Sequence, residues 1–151
     1  MWTGCHAVTL SGCWAKSALT LRIDSRFDQV PLIGLAVRAI GTAVRLDDGG
    51  AGALELCVVE AVNNAIEHAY GGQPGHVVEV EVTLTAAALR VEVRDHGHRM
   101  DWVAATARAA EPLTEGGRGV VIMRSLMDEV SYASGRGRNV LTLVKQLPGE
   151  A

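Results

Sequence analysis

Apolar and polar positions alternate over residues 17–24, with Leu19, Leu21 and Ile23 on one side and Ala18, Thr20 and Arg22 on the other. A period of two predicts a half-buried strand. The period then changes: Val30, Ile33, Val37, Ile40 and Val44 recur at three- and four-residue steps. This predicts an amphipathic helix, with Pro31 tolerated in its first turn. As a coiled-coil seam the run is too short, so packing on a core is favoured. Asp47-Asp48-Gly49-Gly50 breaks the chain. A second helix is expected from about residue 51 to 70, stopped by Gly71-Gly72-Gln73-Pro74-Gly75. Val78, Val80, Val82 and Leu84, then Leu89, Val91 and Val93, alternate with polar residues and predict an antiparallel hairpin. The Ala-rich residues 102–110 predict a short helix, 111–117 a mobile loop, and 120–127 a further helix. Closing strands are expected at 130–133 and 140–147, around the Gly135-Arg136-Gly137 turn. The order β-α-α-β-β-α-β-β makes the chain α+β: a two-layer sandwich with helices on one face of a mainly antiparallel, mixed sheet.

The chain has 151 residues, 48% of them hydrophobic. That suits one domain with a substantial core, expected over 16–148, preceded by a loose extension at 1–15. A net charge of −3 and no broad basic patch argue against direct nucleic-acid binding and against an anionic membrane. Apolar stretches are broken well before about 18 residues, so no spanning helix is expected. No signal peptide is recognisable at the start, which leaves the cytoplasm as the expected compartment. Cys5, Cys13 and Cys57 form neither a disulfide framework nor a zinc pair. Cys57 reads as a small buried hydrophobe.

Three motifs carry chemistry. In the second helix Glu60, Asn64 and His68 are spaced by four residues. Each step drifts only about 40° around the helix, so the three side chains line one stripe. A carboxamide oxygen there is a hard ligand for Mg²⁺, and a carboxylate can orient or deprotonate a hydroxyl. The surrounding Val58, Val59, Ala61, Val62, Ala65 and Ile66 leave little wet surface, which argues against an incidental polar face. His68 reads as a satisfied structural histidine near the helix end. The second motif is Asp95-His96-Gly97, where an apolar strand ends. An ionised Asp accepts hydrogen bonds only, so it suits the exocyclic amine of adenine and repels the oxygen that guanine shows there. Gly97 would let the backbone approach a base without a Cβ. Alone, Asp-x-Gly after a strand is usually just a turn. The third motif is Gly116-Gly117-Arg118-Gly119, leading into a helix. Free N–H groups at a helix start suit phosphate oxygens, and Arg118 can add a charged contact. Asp128 and Glu129 read as surface charges or partner contacts.

Taken in this order, the motifs resemble the GHKL ATPase superfamily, which includes gyrases and histidine kinases. Within it the chain is most similar to the anti-sigma factor serine kinases of bacterial partner switching. Glu60-Ala-Val-Asn-Asn64-Ala-Ile-Glu-His68 matches the N box, Asp95-x-Gly97 the first glycine box, and Gly117-Arg-Gly119 with Met123-Arg-Ser-Leu-Met-Asp-Glu-Val130 the second. Asn139-Val-Leu-Thr-Leu-Val-Lys145 resembles that branch's closing strand. The resemblance implies a Bergerat sandwich that binds ATP and Mg²⁺. It implies Glu60 as catalytic base and Asn64 as metal ligand. Asp95 and Gly97 would sit at adenine, and Gly117, Arg118 and Gly119 at a phosphate-touching lid hinge. Asn63 and His68 would be weaker nucleotide contacts. The implied partners are a sigma factor and a STAS-type anti-sigma factor antagonist, phosphorylated on serine by a homodimer. Where the wider superfamily has another glycine after Asp-x-Gly, this chain has His98-Arg99-Met100. That departure keeps a second reading open: a nucleotide-binding module that regulates by protein contact alone.

Overall fold

The computed structural model describes residues 17–109 and 118–149. The expected extension at 1–15, with Cys5 and Cys13, and the loop 111–117, with Gly116 and Gly117, lie outside the described residues.

The alternating segments form one five-stranded sheet: β1 (Ser17–Asp24), β2 (Val77–Leu84), β3 (Ala88–Asp95), β4 (Glu129–Gly135) and β5 (Arg138–Gln146), in the order β1-β2-β3-β5-β4. Every pairing among the described residues is antiparallel, so the expected mixed sheet is corrected to a wholly antiparallel one. The helices explain it, because they come in pairs. α1 (Val30–Ala43) and α2 (Asp48–Asn64) join β1 to β2, while α3 (Trp102–Ala109) and α4 (Arg118–Leu126) join β3 to β4. A single crossover helix returns the chain to the end where its strand began, which gives a parallel neighbour. A second helix carries it back again. Both helices expected between the hairpin and the closing strands, at 102–110 and 120–127, are present as α3 and α4.

Side-chain alternation then divides the sheet. Val78, Val80, Val82, Leu89, Val91 and Val93 are buried on the face under the helices. They meet Leu54, Val58, Ala61 and Val62 of α2 and Ile33 and Val37 of α1 in one core. Cys57 belongs to it, and burial pushes its thiol up to about 11. The opposite face is polar. There Arg94 is hydrogen-bonded by Glu79, Glu81 and Glu92, and Arg90 also pairs with Glu92. Burial alone would lower Arg94; the three carboxylates outweigh it and hold its pKa above the ordinary arginine value.

α2 starts earlier than the glycine-rich sequence implies. Asp47 caps it: its side chain accepts from Gly50 N at 2.7 Å. The helix then runs through both glycines from Asp48. A Cβ at Gly50 would lie 2.9 Å from Asp47 Oδ1, so the missing side chain makes room for the cap. Asp47→Ala is expected to cost about 1 kcal/mol, read from urea unfolding. At its other end α2 passes into a π turn over Ala65–Ala69, where Tyr70 N bonds to Ala65 O. Such turns recur at functional sites because they re-aim side chains. Among the described residues no helix is long and apolar enough to cross a membrane.

Candidate functional site

The stripe on α2 survives in part. Glu60 and Asn64 are half-buried. Both face the start of α4: a Cβ built on Gly119 would lie 3.1 Å from Glu60 Oε2 and 3.2 Å from Asn64 Nδ2. A side chain at 119 would have to push the pair aside by a few tenths of an ångström, so glycine suits this close start of α4. Neither side chain makes a hydrogen bond to another described residue. His68 lies in the π turn, and its ring is 55% exposed, with Nε2 3.9 Å from Glu67. It is therefore not the satisfied structural histidine expected, since the turn swings it to the rim. Asn63 sits about 100° around α2 from Asn64 and does not line the cleft described next.

That cleft has room for about 20 Å³, comparable to one water molecule. Asn64, Ala65, His68 and Ala69 wall it on the helix side, and Val93, Asp95, Tyr132 and Leu141 on the sheet side. His98 and Met100 close the end. Arg99, the bulky residue where a glycine is usual in the wider superfamily, is exposed and takes no part. A wider recess of about 510 Å³ adjoins along Ala69 and His98 and is lined also by Tyr70, His76 and His96.

Asp95 ends β3 and is only 7% exposed. Burial raises its pKa above the usual aspartate value, against hydrogen bonds from Asn139 and Gly97 that lower it. Gly97 is needed for a reason other than approach to a base. A Cβ there would meet Ala69 O at 2.2 Å, and the next amide, His98 N, donates to that same carbonyl at 2.9 Å. The glycine thus lets the strand-end turn dock on the last turn of the helix. Two tyrosines fasten the turn: His96 N donates to Tyr70 Oη and Met100 N to Tyr132 Oη, each at 2.8 Å. Sequence reading missed both tyrosines and Asn139, which lie 25 or more residues from the atoms they hold. Only the inward phase of Tyr132 and Asn139 on their strands hinted at it.

Arg118 is exposed at the first position of α4. The far end of that helix is tied to the sheet. Lys145 Nζ donates to Leu126 O at 3.1 Å, Asp128 N to Val144 O at 2.9 Å, and Gln146 N to Asp128 Oδ2 at 2.7 Å. Asp128 thus ties the turn between α4 and β4 to β5 as well as being a surface charge.

Helices on one face of an antiparallel sheet, with Asn64 and a buried Asp95 lining one cleft and Glu60 beside Asn64 at the start of α4, match the plan of an ATPase-type nucleotide domain. Comparison with known proteins agrees. The profile of the histidine kinase-like ATPase domain matches residues 23–145, and the chain belongs to that family. It is 30% identical over 132 residues to the serine-protein kinase RsbW of Bacillus pumilus, covering 81% of this chain and 82% of that one. To the serine/threonine-protein kinase BtrW of Bordetella bronchiseptica it is 34% identical over 104 residues, 65% and 72% of the two chains. An anti-sigma F factor of Anoxybacillus flavithermus is 32% identical over 102 residues, 62% of this chain and 68% of that one. Among solved structures, the RsbU and RsbW domains of a Mycobacterium tuberculosis protein superpose with a TM-score of 0.65 at 19% identity. That match covers 89% of this chain and 34% of the longer one, and it supports the fold.

Proposed function

We propose that this chain is an anti-sigma factor and an ATP-dependent protein serine kinase, which holds a sigma factor and phosphorylates a serine of a STAS-type antagonist. The observation that carries the reading is the Glu60–Asn64 pair, which makes no hydrogen bond to another described residue and has Gly119 close against it, in a chain whose relatives are named serine-protein kinase and anti-sigma F factor. Asp95 would accept from the adenine amine, with Gly97 shaping the turn beside it. Gly117, Arg118 and Gly119 would face the phosphates, and His68 and Asn63 would be outlying contacts. Mg²⁺ fits the donor set: a carboxamide oxygen from Asn64, completed by phosphate and water oxygens. Among the described residues no cluster of three or more His, Cys, Asp or Glu side chains could hold a metal unaided. When bound, it would neutralise phosphate charge. Glu60 would hold the attacking serine hydroxyl and take its proton, and Arg118 would stabilise the transferring oxygens. Phosphate on the antagonist adds a charge of roughly −1.5 to −2, enough to undo docking on an acidic protein. The reading includes a domain over 16–148, a homodimer and a cytoplasmic setting.

Thermal unfolding with ATP and Mg²⁺ tests the nucleotide site. At about 100 times the dissociation constant, ligand should add ~2.7 kcal/mol, roughly 5–10 °C in Tm for a domain of this size. The shift should require Mg²⁺ and should shrink strongly in Asn64→Ala. No shift in the wild type at saturating nucleotide would sink the reading.

A further inference from the structure

We infer that Asn139 is a positioning residue for base recognition, and that it sets the selectivity of Asp95 for a purine carrying an exocyclic amine. This deepens the ATP-binding reading above and rests on it. Asn139 opens the inward-facing positions of β5, directly opposite Asp95 in the sheet register. It is 3% exposed. Its amide nitrogen faces three oxygens: Asp95 Oδ1 at 2.7 Å, Gly97 O at 3.1 Å and His98 O at 3.4 Å. Its own Oδ1 accepts from Ser134 Oγ at 2.7 Å. The orientation of the amide is therefore settled by chemistry. Turned over, it would set a carbonyl against three acceptors and an NH₂ against the serine, which can donate elsewhere only by leaving its partner.

Two consequences follow for Asp95. Its Oδ1 receives two donors, Asn139 Nδ2 and Gly97 N at 3.0 Å. That oxygen is fully used by the protein, so Oδ2 is the one left for a ligand in the cleft that Asp95 lines. The same donors favour the ionised, acceptor-only form and oppose the burial that raises the carboxyl's pKa. A carboxyl free to rotate or to take up a proton could present O–H and accept an oxo-substituted purine. Fixed and ionised, it accepts an amine and repels a carbonyl. Asn139 also ties the Gly97–His98 turn, which forms part of the cleft wall, to the same carboxylate. Selectivity thus comes from a strand 44 residues beyond the aspartate.

The test compares ATP with inosine triphosphate, which differs in carrying an oxygen in place of the amine. Dissociation constants for both are measured by calorimetry on the full chain for wild type, Asn139→Ala and Ser134→Ala, with melting curves as a check of folding. Wild type is expected to favour ATP. In Asn139→Ala, ATP affinity should fall by about tenfold, and the preference for ATP over inosine triphosphate should collapse. Ser134→Ala, on an exposed residue that leaves the core intact, should reduce the preference by about two- to threefold. Equal loss of both nucleotides in Asn139→Ala, with an unchanged ratio, would overturn the proposal by making Asn139 a residue of the fold only. If Asn139→Ala does not fold, an unchanged ratio in Ser134→Ala overturns it. A wild type that binds neither nucleotide would defeat the ATP reading instead.

Discussion

Glu60→Ala is expected to lower phosphate transfer to the antagonist serine by about 10²–10⁴-fold, the usual contribution of a positioned general base, with ATP binding close to that of the wild type. The structure explains why the two effects should separate. Glu60 lies on the side of α2 that faces Gly119 and makes no hydrogen bond to another described residue. Alanine there keeps the helix, since it is the best helix former, and leaves no donor among the described residues without its acceptor. Asn64 remains, so the phosphate end of the site keeps its carboxamide. Transfer of labelled phosphate to a STAS-domain substrate, measured beside calorimetric ATP binding, checks both halves. A normal transfer rate in Glu60→Ala would remove the base assignment and leave Asn64 and the helix start as the chemistry of the site.

Asp95→Asn should cost ATP affinity by roughly 10–100-fold, the range for hydrogen bonds to a charged group, without harming the fold. Asparagine can still accept from Gly97 N and from Asn139 through its own oxygen. Its NH₂ would then replace Oδ2 in the cleft, where a donor meets the adenine amine. The pH dependence of stability gives a second readout. Because burial raises the Asp95 pKa in the folded state, its contribution to stability is present below the unfolded pKa and lost as pH rises through the folded one. At neutral pH the ionised carboxylate is thus a cost, and Asp95→Asn relieves it. The variant should gain stability relative to wild type between about pH 4 and pH 7, seen in urea unfolding at both. A variant that binds ATP normally would exclude Asp95 from base recognition.

How much of this was legible beforehand follows from where each signal resides. Strand phase and helix period are local, so the inward faces of β2 and β3 and the proximity of Glu60 to Asn64 could be read from spacing alone. Asp95 alone read as an ordinary turn residue and was legible only through its order and placement beside the other two motifs. The start of α2 was not, because glycines lower helix propensity and the Asp47 cap that outweighs them is a single side chain. Nor was the geometry of His68, since a π turn leaves no mark in an apolar run. Gly97 was singled out for approach to a base, but its close contact to the carbonyl of Ala69 was not legible, because it depends on how the turn packs against α2. Asn139, Tyr70 and Tyr132 depend on strand register and chain crossings, and residues so distant in sequence share no periodicity to reveal them.

The unequal fastening of α4 has a mechanical meaning. Its last turn is held by Lys145, Asp128 and the backbone of β5, whereas its first turn rests on Glu60 and Asn64 through a glycine. A nine-residue helix is about 13 Å long. Pivoting about the fixed end, a tilt of about 10° carries Gly119 through about 2 Å. Val120 in its first turn and Met123 in the next are buried in the core, so the helix would move as a packed lever bonded to the sheet at its far end, with its start over the two side chains to which the chemistry is assigned. Small rotations at the Leu126 end are magnified there, so a protein that touched the sheet edge near β4 and β5 would have a mechanical hold on the site without entering it.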